Sequence, residues 1–372
     1  MTASPTEYDY VAQGQFFLQQ GMLDNAIGSF NRALVENAKF APAYYYRGMA
    51  YRNAGDLRQA IEDYTAAVEV EPDYPVAFYA RGVVYRHQGE FDKAISDYDV
   101  AIELEPEDAD FYYARGVAHA SLKSYDSAIA DFKAAIGMNP QLANAYYNQG
   151  IAYRDLGRRE AALEQYSQAI ELRPGDADYR YARGNVLSDQ HQYSLAVEDY
   201  DQAIQLVPTF ANAYYNRGIA LRNLGQPRKA IEDFDQALRL APAFANLYQN
   251  RGTALSDLGE MAPALIDFNR ALQLDPSLAN VYLSRGNVYL SLGNADLSGG
   301  NAYSQTERLE QALSDYSRAI ELKPDLAEAY RARGMAYQKT GDQARSRADL
   351  LKFAELTRKL NGKLNGNRGG QD

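Results

Sequence analysis

Cysteine and tryptophan are absent from this sequence, and only three histidines occur among its 372 residues. Without cysteine there is no disulfide framework, no thiol nucleophile and no cysteine zinc site. His87, His119 and His191 are scattered along the chain, so no metal site with closely spaced ligands is expected. No apolar run approaches the roughly 18 residues that suggest a membrane span. Residues 1–7 lack the charged start and apolar stretch of a secretory signal. The expectation is therefore no membrane insertion and a cytoplasmic location, with which the lack of cysteine is compatible. Basic charge is also in short supply. Lys and Arg number 38 against 49 Asp and Glu, a net charge of −11, which disfavours nucleic acid as a partner. No phosphate loop, dinucleotide glycine fingerprint or nucleophile elbow is present. Enzymatic activity, a cofactor and a metal are thus not expected.

Tyrosine, by contrast, is abundant, with 31 copies, and it recurs at fixed intervals. Glycines set the period: Gly14, Gly48, Gly82, Gly116, Gly150, Gly184, Gly218, Gly252 and Gly286 lie 34 residues apart, and Gly334 follows after 48. Pro72, Pro106, Pro140, Pro174, Pro208, Pro242 and Pro276 keep the same step, and Pro324 again comes 48 later. Both markers put a 14-residue insertion, residues 294–307, into the ninth unit. Six leading residues precede ten units starting at 7, 41, 75, 109, 143, 177, 211, 245, 279 and 327; a glycine- and asparagine-rich tail, 361–372, is expected to be disordered.

Within the second unit, Tyr44, Gly48 and Tyr51 share one helical face, and Ala60, Tyr64 and Ala67 share another. Small residues let two helices approach, Gly55 permits the turn between them, and Pro72 stops the second. One such hairpin cannot bury both its faces, so neighbours must stack. At this register the sequence resembles the tetratricopeptide repeat family, whose unit has 34 residues and two helices. The resemblance implies an all-α fold, a right-handed α-solenoid (superhelix) of antiparallel helix pairs, with first helices lining the concave side. The last second helix carries Arg345, Arg347, Lys352, Arg358 and Lys359, as expected of a capping helix with a wet outer face.

One position departs from the family pattern, which usually has Leu before the glycine. Here stand Arg47, Arg81, Arg115, Arg183, Arg217, Arg251, Arg285 and Arg333. Sixteen residues on are Asp63, Asp97, Asp131, Asp199, Asp233, Asp267 and Asp349; in the ninth unit the insertion moves the acid to Asp315. Both halves change together in two units, to Gln149 with Gln165 and to Gln13 with Ser29. That coupling points to a structural ion pair between the two helices of one unit.

In the family the second, fifth, sixth, ninth, twelfth and thirteenth positions of the first helix face the groove. The fifth is Tyr45, Tyr79, Tyr113, Tyr147, Tyr181 and Tyr215; the twelfth includes Arg52, Arg86, Arg154 and Arg222. The second and sixth include Asn144, Asn148, Asn212, Asn216, Asn246, Asn250 and Asn280. Tyr offers rigid amphipathic area, Arg reaches carboxylates, and Asn can bond a peptide N–H and C=O together. The competing reading is that the tyrosines only pack between helices. The chaperone-adaptor branch of the family holds a C-terminal carboxylate with lysine at the fifth position, and no unit has lysine there. The resulting expectation is a non-catalytic scaffold or adaptor that binds a protein or extended peptide in its concave groove. The alternative is a substrate-targeting arm of an enzyme complex whose catalytic domain is on another chain, and self-association stays open.

Overall fold

The computed structural model describes residues 5–295 and 302–366, all helix and short turn, with no strand among them. Among the described residues twenty helices make ten hairpins. Repeat two is typical, with a first helix at Ala41–Asn53 and a second at Leu57–Val70. The chain divides into two compact units, Met1–Val186 and Leu187–Asp372.

The hairpin turn is a Schellman motif. Gly55 takes φ +84°, its N–H reaches Arg52 O at 3.1 Å, and the next N–H, of Asp56, reaches Tyr51 O at 2.9 Å. These bonds satisfy carbonyls that the ending helix leaves open, and the left-handed residue favours glycine. In repeats four and six that place belongs to Lys123 (φ 60°) and His191 (φ 61°), with the same pair of bonds. Asp56 then caps the second helix by accepting from Gln59 N.

The glycine of the first helix answers to a different constraint. A Cβ on Gly82 would lie 2.7 Å from Cε1 of Tyr98, a fully buried ring on its own second helix. Every such glycine with an aromatic opposite is a slot for that ring, and alanines such as Ala60, Ala67, Ala94 and Ala101 close the helices around it. Within each unit, first helices of successive repeats touch, whereas successive second helices barely meet. First helices therefore line the more tightly packed side of each unit.

The insertion is absorbed largely as helix. The first helix of repeat nine runs Ala279–Ala295 and the second Ala302–Leu322, 17 and 21 residues against the usual 13 and 14. Residues 296–301 lie outside the described residues. The last helix continues to Gly366, into the stretch expected to be a disordered tail, because no proline or positive-φ glycine interrupts it there. Residues 367–372 are outside the described residues. The outer face of that helix is not wholly polar, since Leu351 is 63% exposed.

Two pairs of substitutions test these constraints by urea denaturation. Gly82→Ala should lower stability by about 1–3 kcal/mol through overpacking. Gly137→Ala, in a helix with nothing within 4 Å of the new methyl, should raise it by up to about 1 kcal/mol. Lys123→Gly should stabilise by about 0.5–1 kcal/mol by relieving the left-handed strain, and Gly55→Ala should do the reverse.

Candidate functional site

The arginines before the glycines are bound more fully than one ion pair requires. Arg47 donates from Nε to Asp63 Oδ2 (2.8 Å) and from Nη2 to Asp63 Oδ1 (2.6 Å), a planar bidentate pair. The same fork joins Arg81 to Asp97, Arg115 to Asp131, Arg217 to Asp233, Arg251 to Asp267, Arg285 to Asp315 and Arg333 to Asp349. These carboxylates belong to the same repeat, as the paired exceptions in the sequence imply.

A third contact goes backwards. Nη1 of each arginine donates to a residue sixteen positions earlier, on the second helix of the preceding repeat. For Arg47, Arg81 and Arg115 these are Asn31 (2.6 Å), Thr65 (3.1 Å) and Asp99 (2.6 Å). Arg183 reaches Ser167 at 3.0 Å. In the second unit, Arg217, Arg251, Arg285 and Arg333 reach Asp201, Asp235, Asn269 and Ser317. An aromatic three residues before the arginine lies under its guanidinium, Tyr44 beneath Arg47 at 5.5 Å for example. One side chain thus ties three helices, two of its own repeat and one of the repeat before. The Asp131 hydrogen bond holds the Arg115 guanidinium above its ordinary pKa, and the Asp267 bond does so for Arg251. The backward contact was legible in the sequence as an acceptor sixteen residues before every such arginine, but a search for acids alone passes over Asn, Ser and Thr.

Repeat five keeps the geometry with different chemistry. Gln149 is 4% exposed and donates to the carbonyl of Ile129 at 3.1 Å, while the residue sixteen before it is Lys133. An arginine at 149 would face that lysine, so the neutral amide and the cation belong together. In repeat one Ser29 donates to Gln13 Oε1 at 3.3 Å.

On the first-helix face, each fifth-position tyrosine is half-buried. Tyr45 contacts Tyr64 of its own second helix and Tyr74 leading into the next repeat, at ring distances of 6.0 and 5.5 Å. Tyr79 lies similarly between Tyr98 and Phe111, Tyr147 between Tyr166 and Tyr179, and Tyr215 between Phe234 and Phe244. Tyr113 packs on Phe132, and Tyr181 is half-buried at its equivalent place. Burial raises the phenol pKa of Tyr45, Tyr79, Tyr113 and Tyr147. The rings are therefore structural, leaving partial surface at the face.

The asparagines divide. Asn148 Nδ2 donates to Tyr113 Oη (2.9 Å) and Asn250 Nδ2 to Tyr215 Oη (3.1 Å), each bonding back to the previous repeat. Asn144 Oδ1 accepts from Tyr179 Oη (2.5 Å) and Arg173 Nη1 (3.2 Å), yet the residue stays exposed. Asn212 and Asn280 are exposed, and Asn216 and Asn246 are half-buried. Arg52, Arg86, Arg154 and Arg222 are half-buried on the last turn of their helices, and Arg154 is held by Asp155 at 2.8 Å.

Among the described residues, no group of three or more His, Cys, Asp or Glu is placed to hold a metal ion. His119 approaches Asp131 at 3.8 Å, and His191 Nδ1 is 2.7 Å from Tyr193 Oη, without a shared centre. No helix among the described residues is long and apolar enough to cross a membrane.

Repeated helix hairpins, most of them joined to the preceding one by a first-helix arginine, define an α-solenoid of antiparallel helix pairs. Family models agree. The TPR repeat model matches residues 150–191, 184–225, 252–293 and 300–341, and two tetratricopeptide repeat models match 45–104 with 89–143 and 211–244. The chain belongs to the tetratricopeptide repeat family. A comparison with curated proteins gives no match. Among solved structures it is similar to YrrB, described as a TPR protein with an unusual peptide-binding site. Identity there is 25% and the TM-score 0.45, over 50% of this chain and 95% of that one. It is similar to MamA at 26% identity and a TM-score of 0.43, over 45% and 91%. For a tetratricopeptide repeat protein from Parabacteroides merdae the values are 19% and 0.49, over 73% and 98%.

The staple makes a sharp stability prediction. Asp97→Ala should cost about 3–5 kcal/mol, because the Arg81 guanidinium is left largely buried without its carboxylate. Replacing Arg81 and Asp97 together by leucine should cost far less, and urea denaturation of the three variants checks the ordering.

Proposed function

We propose that this chain is a non-catalytic interaction scaffold or adaptor that holds a protein or extended peptide against its first-helix face. One observation carries the reading. The buried polar chemistry is spent on joining helices, and the side chains left over on the first helices are tyrosine edges, exposed asparagines and arginines. Such a surface suits a peptide: aromatic area costs little conformational entropy, and amides bond the main chain of a ligand. Contacts spread over repeats are individually modest, so affinity accumulates along the array. The Asn148–Tyr113 and Asn250–Tyr215 bonds hold part of this surface rigid before a ligand arrives, which lowers the ordering cost.

Truncating the tyrosines would test packing and binding at once, because their rings support neighbouring helices. Photo-crosslinking separates the two. A peptide is selected from a random linear library on the intact chain, and a photoreactive residue is placed at Asn144, Asn212 or Asn280. These positions should capture the peptide, whereas Arg58 and Glu164, exposed on second helices, should not. Equal or preferential capture at the second-helix positions would overturn the reading.

A further inference from the structure

We infer that the first-helix face of repeats two and three carries a subsite for two carboxylates of an extended acidic peptide, built on Arg52 and Arg86. This rests on the reading of the first-helix face as the binding surface and names what part of it selects.

Both arginines stand seven residues after a fifth-position tyrosine, Tyr45 and Tyr79, hence two turns along the same helical stripe. Their electrostatic situation differs from that of the cations around them. Each stapling arginine with a carboxylate fork has a further acceptor behind it, and Arg154, their equivalent in repeat five, is closed by the adjacent Asp155. Arg52 and Arg86 are followed by Asn53 and His87; neither has an ion pair, and Arg86 meets only the Tyr98 hydroxyl. In a chain of net charge −11 these two guanidiniums are left without acids of their own.

A second observation lies beneath them. Tyr64 and Tyr98 are fully buried; the Tyr64 hydroxyl and the buried Nε of Arg86 have no hydrogen-bond partner, and the Tyr98 hydroxyl has only the Arg86 guanidinium beside it. The equivalent hydroxyl of Tyr316 donates to Asn287 Oδ1 at 2.9 Å, so the chain can satisfy this position; it does not do so at Tyr64 in repeat two, nor at Tyr166 in repeat five, where Asp155 closes the arginine of that repeat instead. Tyr79 stands among the charges: burial raises its phenol most, Asp110 and Asp108 raise it further, and Arg86 and Arg52 pull it back. Unsatisfied N–H and O–H donors gathered at one place call for an acceptor, and a guanidinium's planar fork matches a carboxylate. Tyr64 and Tyr98 act as positioning residues, each an oxygen behind a guanidinium whose outer N–H groups remain for the ligand.

The spacing selects the ligand further. The first helices of repeats two and three touch, and helices in contact lie about 8–10 Å apart. An extended chain in the polyproline II conformation advances about 3.1 Å per residue and returns to the same side every third residue, so the carboxylates should be three residues apart.

The test uses the full chain and fluorescence anisotropy at low salt. The probe is a labelled peptide with a Glu-Ser-Ser-Glu core, and its controls carry Gln-Ser-Ser-Gln or a phosphoserine in place of each glutamate. The glutamate peptide should bind at least about tenfold more tightly than the glutamine peptide. Arg52→Gln and Arg86→Gln should each remove about tenfold, while Arg154→Gln leaves binding within twofold. Tyr98→Phe should weaken the glutamate peptide and leave the glutamine peptide unchanged. Thermal melting confirms that each variant folds. Equal binding of the glutamate and glutamine peptides, loss that follows Arg154 instead, or binding of the phosphoserine peptide alone would overturn the subsite. Selective crosslinking at Asn144 or Asn212 would in that case leave the wider binding face standing. Arginine-dependent glutamate binding without such crosslinking would support the subsite and count against the wider face.

Discussion

A guanidinium presents five N–H donors in one plane, and burying it is tolerable only when those donors are met. In this chain the demand is met by two helices besides the one that carries the arginine. The carboxylate fork fixes the two helices of a repeat against each other, and the remaining Nη sets the repeat on its predecessor. A lysine could not do this, because its ammonium has no fixed fork. The interaction is better regarded as setting geometry than as adding stability, since an apolar pair can fill the same space. Its directional bonds specify how successive hairpins meet.

The glycine slots depend on that geometry. A ring such as that of Tyr98 fits only if its second helix stands close to the Gly82 backbone, and the arginine one residue earlier, Arg81, holds the helices at that separation. Repeat five shows what the constraint demands when arginine is absent. Gln149 still finds a buried acceptor, now the Ile129 carbonyl, and Gly150 still faces the Tyr166 ring. The rule kept from repeat two onward is that a first-helix donor reaches backwards, whichever side chain supplies it.

The proposed binding face is what this architecture leaves unused. Stapling and ring packing take up the arginines before the glycines and most of each tyrosine, so the accessible chemistry concentrates at the ends and edges of the first helices. There the surface is uneven. Arg154 is neutralised by its neighbour, whereas Arg52 and Arg86 have no ion pair, so repeats of the same backbone differ in the charge they present.

The all-helical fold and its pairing into repeated hairpins were determined by the sequence itself, because Gly, Pro and Ala mark turns, stops and close contacts through local sterics. The Arg–Asp pairing within a repeat was legible as well, since Gln149 and Gln165 depart from it together. Local rules could not reveal what depends on a neighbour's placement. The tyrosines at 45, 79 and 147 could have been ligand contacts or packing rings, and only the positions of Tyr74, Phe111 and Tyr179 decide that their rings are wedged between helices. The same holds for Asn148 and Asn250, whose amides meet a tyrosine hydroxyl 35 residues away. The third arm of each arginine was written in the sequence as a scatter of Asp, Asn, Ser and Thr, and it acquires meaning only when the preceding helix lies within hydrogen-bond reach. Burial decided the rest, because a hydroxyl such as that of Tyr64 becomes an unmet demand only once packing has excluded water from it.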